Sequence, residues 1–274
     1  MKIDTLILSG ASSKGIGYVG ALYALSTNTF YNFNDIKNII ACSSGAIFGF
    51  MLLLNFNAHM MYKLLKEIDM IDLDNFSDDL LVNNGIFNNN GIKLFLISCL
   101  KNKYNLNDIN FIDLYKKTKI RFVVKVYNLS LQKQEYFSYK NKPNMSVIDA
   151  IQISTCIPII FKPIKYNNYY YIDGGIINNI PHLKNKRYKN YLLIYITSIN
   201  NEIKIPYNYD NIDFFDYIKK IINIINSSSN KKNKRNFKLI INLNITDFNI
   251  KSVLDKIILD SYHQTLQHIQ KYNL

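Results

Sequence analysis

Tryptophan is absent from the 274 residues while Asn, Ile, Lys and Tyr abound, the bias of an A+T-rich genome. Cysteine is nearly as scarce. Cys42, Cys99 and Cys156 form no CxxC pair and no His/Cys cluster at ligand spacing, which excludes a disulfide framework and a zinc site and reads most simply as a reducing compartment. Acidic side chains are also in deficit, 20 against 33 basic, for a net charge of +13. Such a balance favours an anionic partner, a phospholipid surface or a nucleic acid, without choosing between them. No long hydrophobic run is present. The longest uncharged apolar stretch, residues 39–54, falls short of the ~20 residues of a membrane span and is interrupted by Ser43-Ser44-Gly45. Asp4 comes too early, and the apolar run around it is too short, for a secretory signal. The expectation is a cytoplasmic chain with no signal peptide and no transmembrane helix.

With 48% hydrophobic and 19% charged residues the composition is that of an ordinary globular protein, and 274 residues suffice for a sizeable core. β-Branched runs bounded by turn signals predict strands at 4–9, 36–42, 121–129, 169–172, 191–198 and 237–243. Helical periodicity appears at 15–26, 44–55, 58–68, 92–100, 146–155, 214–225 and 250–272. Strand and helix alternate, so a mostly parallel sheet covered on both faces is expected, in one domain over 1–274. Ser146 with Asp149 reads as a helix-start cap, and Pro158 and Pro163 impose an extended passage after that helix. Residues 132–139 alternate well enough to pair back on 121–129. The basic segment 227–235 suits an exposed loop, either as solvated charge or as a contact with anionic membrane.

Three constellations carry chemistry. The first, Ile39-Ile40-Ala41-Cys42-Ser43-Ser44-Gly45-Ala46, is a buried strand turning directly into a helix with a serine at the corner. So tight a turn requires small residues two before and two after the nucleophile, here Ala41 and Gly45. The amides that open the helix favour negative charge on the serine oxygen and on a substrate oxyanion. The second is Ser9-Gly10-Ala11-Ser12-Ser13-Lys14-Gly15-Ile16-Gly17-Tyr18-Val19-Gly20, whose small residues can aim successive amides at an oxyanion or a phosphate. Its GxGxxG match at Gly15–Gly20 starts several residues after the strand ends and lacks a ribose-binding acid, so Gly17 and Gly20 are expected inside a helix, packed on the sheet. The third is Tyr171-Ile172-Asp173-Gly174-Gly175, an aspartate held at the end of an apolar strand. Taken singly, each also suits plain structure: Ser-Ser-Gly a loop, Asp-Gly a turn.

Together, in this order and spacing, the three motifs resemble the patatin-like phospholipase family, with its glycine-rich oxyanion loop, G-x-S-x-G elbow and D-G-G/A turn. The resemblance covers Thr5 to Pro181 and includes the proline-bearing passage 150–163; the remainder, 182–274, matches only by its α/β pattern. It implies a three-layer α/β/α sandwich and a Ser-Asp dyad in which Ser43 attacks an ester and Asp173 is the base, with no metal or other cofactor. Gly10, Ala11, Ser12, Lys14 and Gly15 would form the oxyanion loop, Ala41 and Gly45 the elbow, and Gly174 and Gly175 the turn. The implied substrate is a phospholipid or other lipid ester, met at an anionic membrane surface, with no nucleic acid. Two departures stand out: Ala11 and Ser12 replace glycines, and Ala41 replaces the elbow's first glycine. A left-handed conformation at Ala11 or Ser12 would cost ~1–2 kcal/mol. Three functions therefore compete: a lipid acyl hydrolase, a catalytically silent lipid-binding module of the same fold, and a nucleotide or nucleic-acid binder. Of the histidines, His59, His263 and His268 fall in helical patterns, which leaves His182, close after Asp173, as the one alternative base.

Overall fold

The computed structural model describes residues 3–27, 32–67, 85–87, 89–181, 190–197, 237–243 and 250–271. The expected helix 214–225, the basic loop 227–235 and His182 lie outside the described residues. Along the chain run β1 (Thr5–Leu8), α1 (Gly17–Ser26), β2 (Asn38–Cys42), α2 (Ser44–Leu53), α3 (Ala58–Glu67), β3 (Gly85–Phe87) and α4 (Asn90–Tyr104). They are followed by α5 (Phe111–Thr118), β4 (Arg121–Asn128), β5 (Lys133–Phe137), α6 (Val147–Ser154), β6 (Ile159–Phe161), β7 (Ile164–Tyr166) and β8 (Tyr169–Asp173). The described elements end with β9 (Tyr191–Thr197), β10 (Phe237–Asn242) and α7 (Ile250–Lys271).

The central sheet has the order β10-β9-β1-β2-β4-β8-β7, and its first five strands are parallel. Leu6, Leu8, Ile39, Ala41, Val124 and Ile194 are fully buried, as interior parallel strands covered on both faces require. The architecture is the expected α/β/α sandwich. β5 pairs antiparallel with β4 from Val124↔Phe137 to Asn128↔Lys133, as the alternation of 132–139 indicated. Ser146 caps α6 by accepting the Asp149 amide at 3.2 Å. The proline-bearing passage forms two short strands. β6 pairs with β3 in a separate ribbon, and β7 turns into β8 through Asn167 and Asn168, both at positive φ (43° and 60°). Helix α5 was not anticipated, although its signal is present: the Asn110 side chain accepts the Asp113 amide at 2.8 Å, and left-handed Lys119 ends the helix.

Gly17 and Gly20 do lie in α1, but Gly20 packs against α7 rather than the sheet. A Cβ on Gly20 would sit 2.0 Å from the Ile258 carbonyl oxygen and 2.3 Å from Ser261 Oγ. The glycine spacing of α1 thus serves a contact with α7, the last described element. Gly17 is divided between α7 and the sheet, meeting Leu243, Ser261 and Ile196.

The geometry that builds the site is found along β4. Residues 121–125 pair with β2, ending at Lys125↔Cys42, while residues 126–128 pair with β8, beginning at Val126↔Asp173. β5 pairs with residues 124–128 and so overlaps both partners, which places β5 on one edge of β4 and both β2 and β8 on the other. β2 runs parallel to β4 and β8 antiparallel, so the carboxyl ends of β2 and β8 meet head to head at adjacent β4 residues.

Gly20→Ala separates two opposing effects. Alanine favours a helix by ~1 kcal/mol, but the clash with α7 backbone costs about 2–3 kcal/mol. Urea unfolding should therefore show a net loss of stability; an unchanged or higher midpoint would mean that the α1–α7 contact is slack.

Candidate active site

Ser43 sits between β2 and α2 at φ 51°, ψ −129°, a strained conformation for a residue with a side chain, costing ~1–3 kcal/mol. Its surroundings hold it there. The Ser43 amide donates to Ser154 Oγ at 2.8 Å, and that hydroxyl donates in turn to the Lys125 carbonyl at 2.6 Å. Behind it, α2 begins so close to the end of β1 that a Cβ on Gly45 would lie 2.5 Å from the Ser9 carbonyl oxygen. Ala41 is fully buried in β2, opposite Leu8 on one side and Val124 on the other.

Ser43 Oγ donates to Asp173 Oδ2 at 2.5 Å, and both residues are buried. The other carboxylate oxygen accepts the Gly175 amide at 2.6 Å, so the carboxylate is fixed at both ends. The Asp173 amide donates to the Cys156 carbonyl at 2.7 Å and the Gly174 amide to the Ser154 carbonyl at 3.3 Å. Gly174 is required by proximity: a Cβ there would meet the Lys125 carbonyl oxygen at 2.2 Å. Burial pushes the Asp173 carboxyl up to about 6, against the lowering effects of the Ser43 hydroxyl, the Gly175 amide and Lys125. A carboxylate of that strength is ionised at neutral pH, yet far more basic than a free aspartate.

Lys125 is the residue that sequence reasoning missed. It is fully buried, and its ammonium donates to the Asn178 carbonyl. Burial lowers its pKa, while Cys42 and Asp173 act in the opposite direction. The signal was a lone lysine within Phe122-Val123-Val124-Lys125-Val126, a run otherwise fit for a strand buried on both faces. Ser154, Asn179 and Ser44, given no role from the sequence, also hold the site together. Cys42 is a buried thiol pushed up to about 12, so it remains protonated beside the dyad.

The glycine-rich segment approaches the same point. A Cβ on Gly10 would lie 3.2 Å from Ser43 Cβ, and one on Gly15 would lie 2.6 Å from the Ser44 side chain. The Gly10 amide donates to the Asn179 carbonyl and the Asn179 side-chain amide returns a bond to the Gly10 carbonyl, both at 2.8 Å. The Ala11 amide donates to Ser44 Oγ at 3.0 Å. The amides of Gly10 and Ala11, at two of the positions expected to form the oxyanion loop, are thus already engaged within the protein. Ser12 takes the left-handed conformation (φ 51°), so the strain anticipated for the lost glycines falls on this residue. It opens a 3-10 turn, Ser12–Ile16, in which the first amide to find a partner is that of Lys14, bonded to the Ala11 carbonyl at 3.1 Å. The amides of Ser12 and Ser13 precede it and have no acceptor among the described residues. Gly15 closes this turn against α2.

Among the described residues no group of three or more His, Cys, Asp or Glu is placed to hold a metal, and no helix is long and apolar enough to cross a membrane. His59 lies in α3 and His263 and His268 in α7.

A buried serine–carboxylate pair on strand ends of a mostly parallel α/β/α sheet defines the structural class. Solved structures share the fold: VipD from Legionella pneumophila, at TM-score 0.59 and 15% identity over 99% of this chain and 67% of that one, and ExoU in its complex with SpcU from Pseudomonas aeruginosa, at 0.54 and 13% over 98% and 52%. The family model for patatin-like phospholipases matches residues 6–184, and the chain belongs to that family. A protein of Invertebrate iridescent virus 6 named probable lipid hydrolase 463L is 32% identical over 211 residues, covering 73% of this chain and 71% of its own. Uncharacterized protein R571 of Acanthamoeba polyphaga mimivirus is 28% identical over 184 residues, covering 66% and 60%.

Lys125→Met keeps the volume and removes the cation, so the Asp173 carboxyl should titrate above its value of about 6. Carbon-detected NMR titration of the carboxyl group measures this directly. An unmoved titration would mean that Lys125 acts only through its packing and its bond to the Asn178 carbonyl.

Proposed function

We propose that the chain is a lipid acyl hydrolase of the phospholipase A type, with Ser43 as nucleophile and Asp173 as its only side-chain base. Family membership and the relative named as a probable lipid hydrolase support lipid hydrolase activity. The observation that carries the finer reading is the 2.5 Å bond from Ser43 Oγ to a buried Asp173 carboxylate.

In this reading Ser43 Oγ attacks the ester carbonyl carbon as its proton passes to Asp173 Oδ2. The tetrahedral oxyanion is received by the amides of Ser12 and Ser13 and by that of Ser44 at the start of α2. Asp173 returns the proton to the departing alcohol oxygen as the C–O bond breaks, which leaves an acyl-Ser43 ester. Water then attacks this ester while Asp173 accepts the water's proton. Collapse of the second intermediate returns that proton to Ser43 Oγ and releases the fatty acid. A base near pKa 6 suits this exchange, since it is ionised at pH 7 yet able to hold a proton briefly. A silent lipid-binding relative is the second reading, favoured by the engagement of the Gly10 and Ala11 amides.

Labelling with a fluorophosphonate and release of fatty acid plus lysophospholipid from anionic phospholipid vesicles test the proposal. Ser43→Ala should abolish labelling, and Asp173→Asn should lower hydrolysis by about 10³-fold or more with the fold intact. Failure of a folded wild-type chain to label would favour the silent reading.

Activity should also depend on pH in one direction. The base must be ionised, so kcat/KM falls as pH drops through the Asp173 value of about 6 and levels off above it. The midpoint of the fall should lie within about one unit of that value, and a flat profile between pH 5 and 8 would remove Asp173 from the role.

A further inference from the structure

Eleven large apolar or aromatic side chains are exposed among the described residues, and four of them lie on two neighbouring turns. Leu129 and Leu131, 42% and 45% exposed, lie on the turn between β4 and β5, and Tyr169 and Tyr170, 41% and 48% exposed, begin β8. The two turns are joined by hydrogen bonds: the Leu129 amide donates to the Tyr170 carbonyl at 2.8 Å, and the Tyr170 amide donates to Ser130 Oγ at 2.9 Å. Each is also fixed internally, the first by the Leu131 amide donating to Asn128 Oδ1 at 2.9 Å, the second by the two-residue Asn167-Asn168 turn.

Their position is set by the register. Tyr170 precedes Asp173 by three residues of β8, so the paired tips stand about 10 Å beyond the dyad, at the same end of the sheet. Residues 128–133 and 164–171 contain no acidic side chain and two lysines, Lys133 and Lys165. Lys165 lies over the Tyr170 ring at 6.0 Å, and Lys133 shares its charge with Glu135 at 3.5 Å. Exposed leucines and tyrosines bordered by lysine, on a chain of net charge +13, match the chemistry of an anionic bilayer: apolar groups enter the interface while cations meet the headgroups.

We infer that these paired tips form a docking surface for an anionic phospholipid bilayer, which presents the membrane to the dyad. The partner follows from the lipid-hydrolase reading above, whereas the surface itself can be tested without turnover. The chain has no tryptophan, so Leu131→Trp in a Ser43→Ala background introduces a single indole. With vesicles of phosphatidylcholine and phosphatidylserine its emission should shift to the blue and be quenched by brominated acyl chains. Replacing Leu129, Leu131, Tyr169 and Tyr170 together by serine should reduce vesicle sedimentation about tenfold or more, and vesicle hydrolysis by the Ser43-containing protein in parallel. Hydrolysis of a soluble short-chain ester should stay within about twofold. Sedimentation with vesicles but no change in emission would overturn the inference, as would equal sedimentation of the serine variant. Tip-dependent dimerisation in analytical ultracentrifugation, without vesicle binding, would overturn it in favour of a second copy. Insertion of the indole by a protein that hydrolyses no ester would uphold the docking surface and refute only the proposed function.

Discussion

One edge of β4 is shared by two strands running in opposite directions, and the rest of the site depends on that division. Because β2 ends opposite Lys125 and β8 ends opposite Val126, the serine after β2 and the aspartate closing β8 are brought together by backbone pairing alone. The ladder has a repeat of about 3.3 Å, so a slip of one residue in either strand would part the two groups. The hydroxyl–carboxylate bond is thus a consequence of sheet register. The tight packing around it has the same origin: Gly174 passes over the Lys125 carbonyl, and Gly45 lies against the end of β1.

Energetically the site works against itself and is supported from outside. Ser43 has a strained backbone, and Asp173 carries a charge that burial disfavours. Two residues offset these costs. Ser154 accepts the Ser43 amide through its hydroxyl and the Gly174 amide through its carbonyl, so one residue of α6 holds both sides of the dyad. Lys125 places a cation near the carboxylate and, through the Asn178 carbonyl, anchors the turn that follows it. The next residue, Asn179, bonds to Gly10 in both directions. The lysine, the turn after Asp173 and the glycine-rich loop therefore form a connected polar network in a water-poor interior, where each bond counts for more than it would at the surface.

Much of this was legible in the sequence because it is local. A strand, a serine and a glycine at fixed spacing specify a tight corner; an aspartate and two glycines specify a sharp exit from a strand. The parallel-sheet class followed from the alternation of strand and helix patterns, and the cap of α6 from Ser146 and Asp149. What was not legible is what depends on distant partners. Gly20 reads as a glycine facing the sheet until α7 is seen to cover it. The amides of Gly10 and Ala11 look available until Asn179 and Ser44 are placed. Lys125 is incongruous in a buried strand, a signal that went unread, and only the pairing with β2 and β8 shows what it faces.

The engagement of those two amides also bears on why glycine is dispensable at positions 11 and 12. A run of glycines is needed where several consecutive residues must turn their amides outward through conformations closed to other residues. Here Ala11 has an ordinary negative φ of −146°, and its amide is directed to Ser44 Oγ, a bond requiring no special backbone. Only Ser12 enters the left-handed region, at a cost of ~1–2 kcal/mol. The Ser44 hydroxyl has thus taken over part of the loop's anchoring. It couples the glycine-rich segment to the residue beside Ser43, so the two segments are held in register by a side chain instead of by the conformational freedom of the loop.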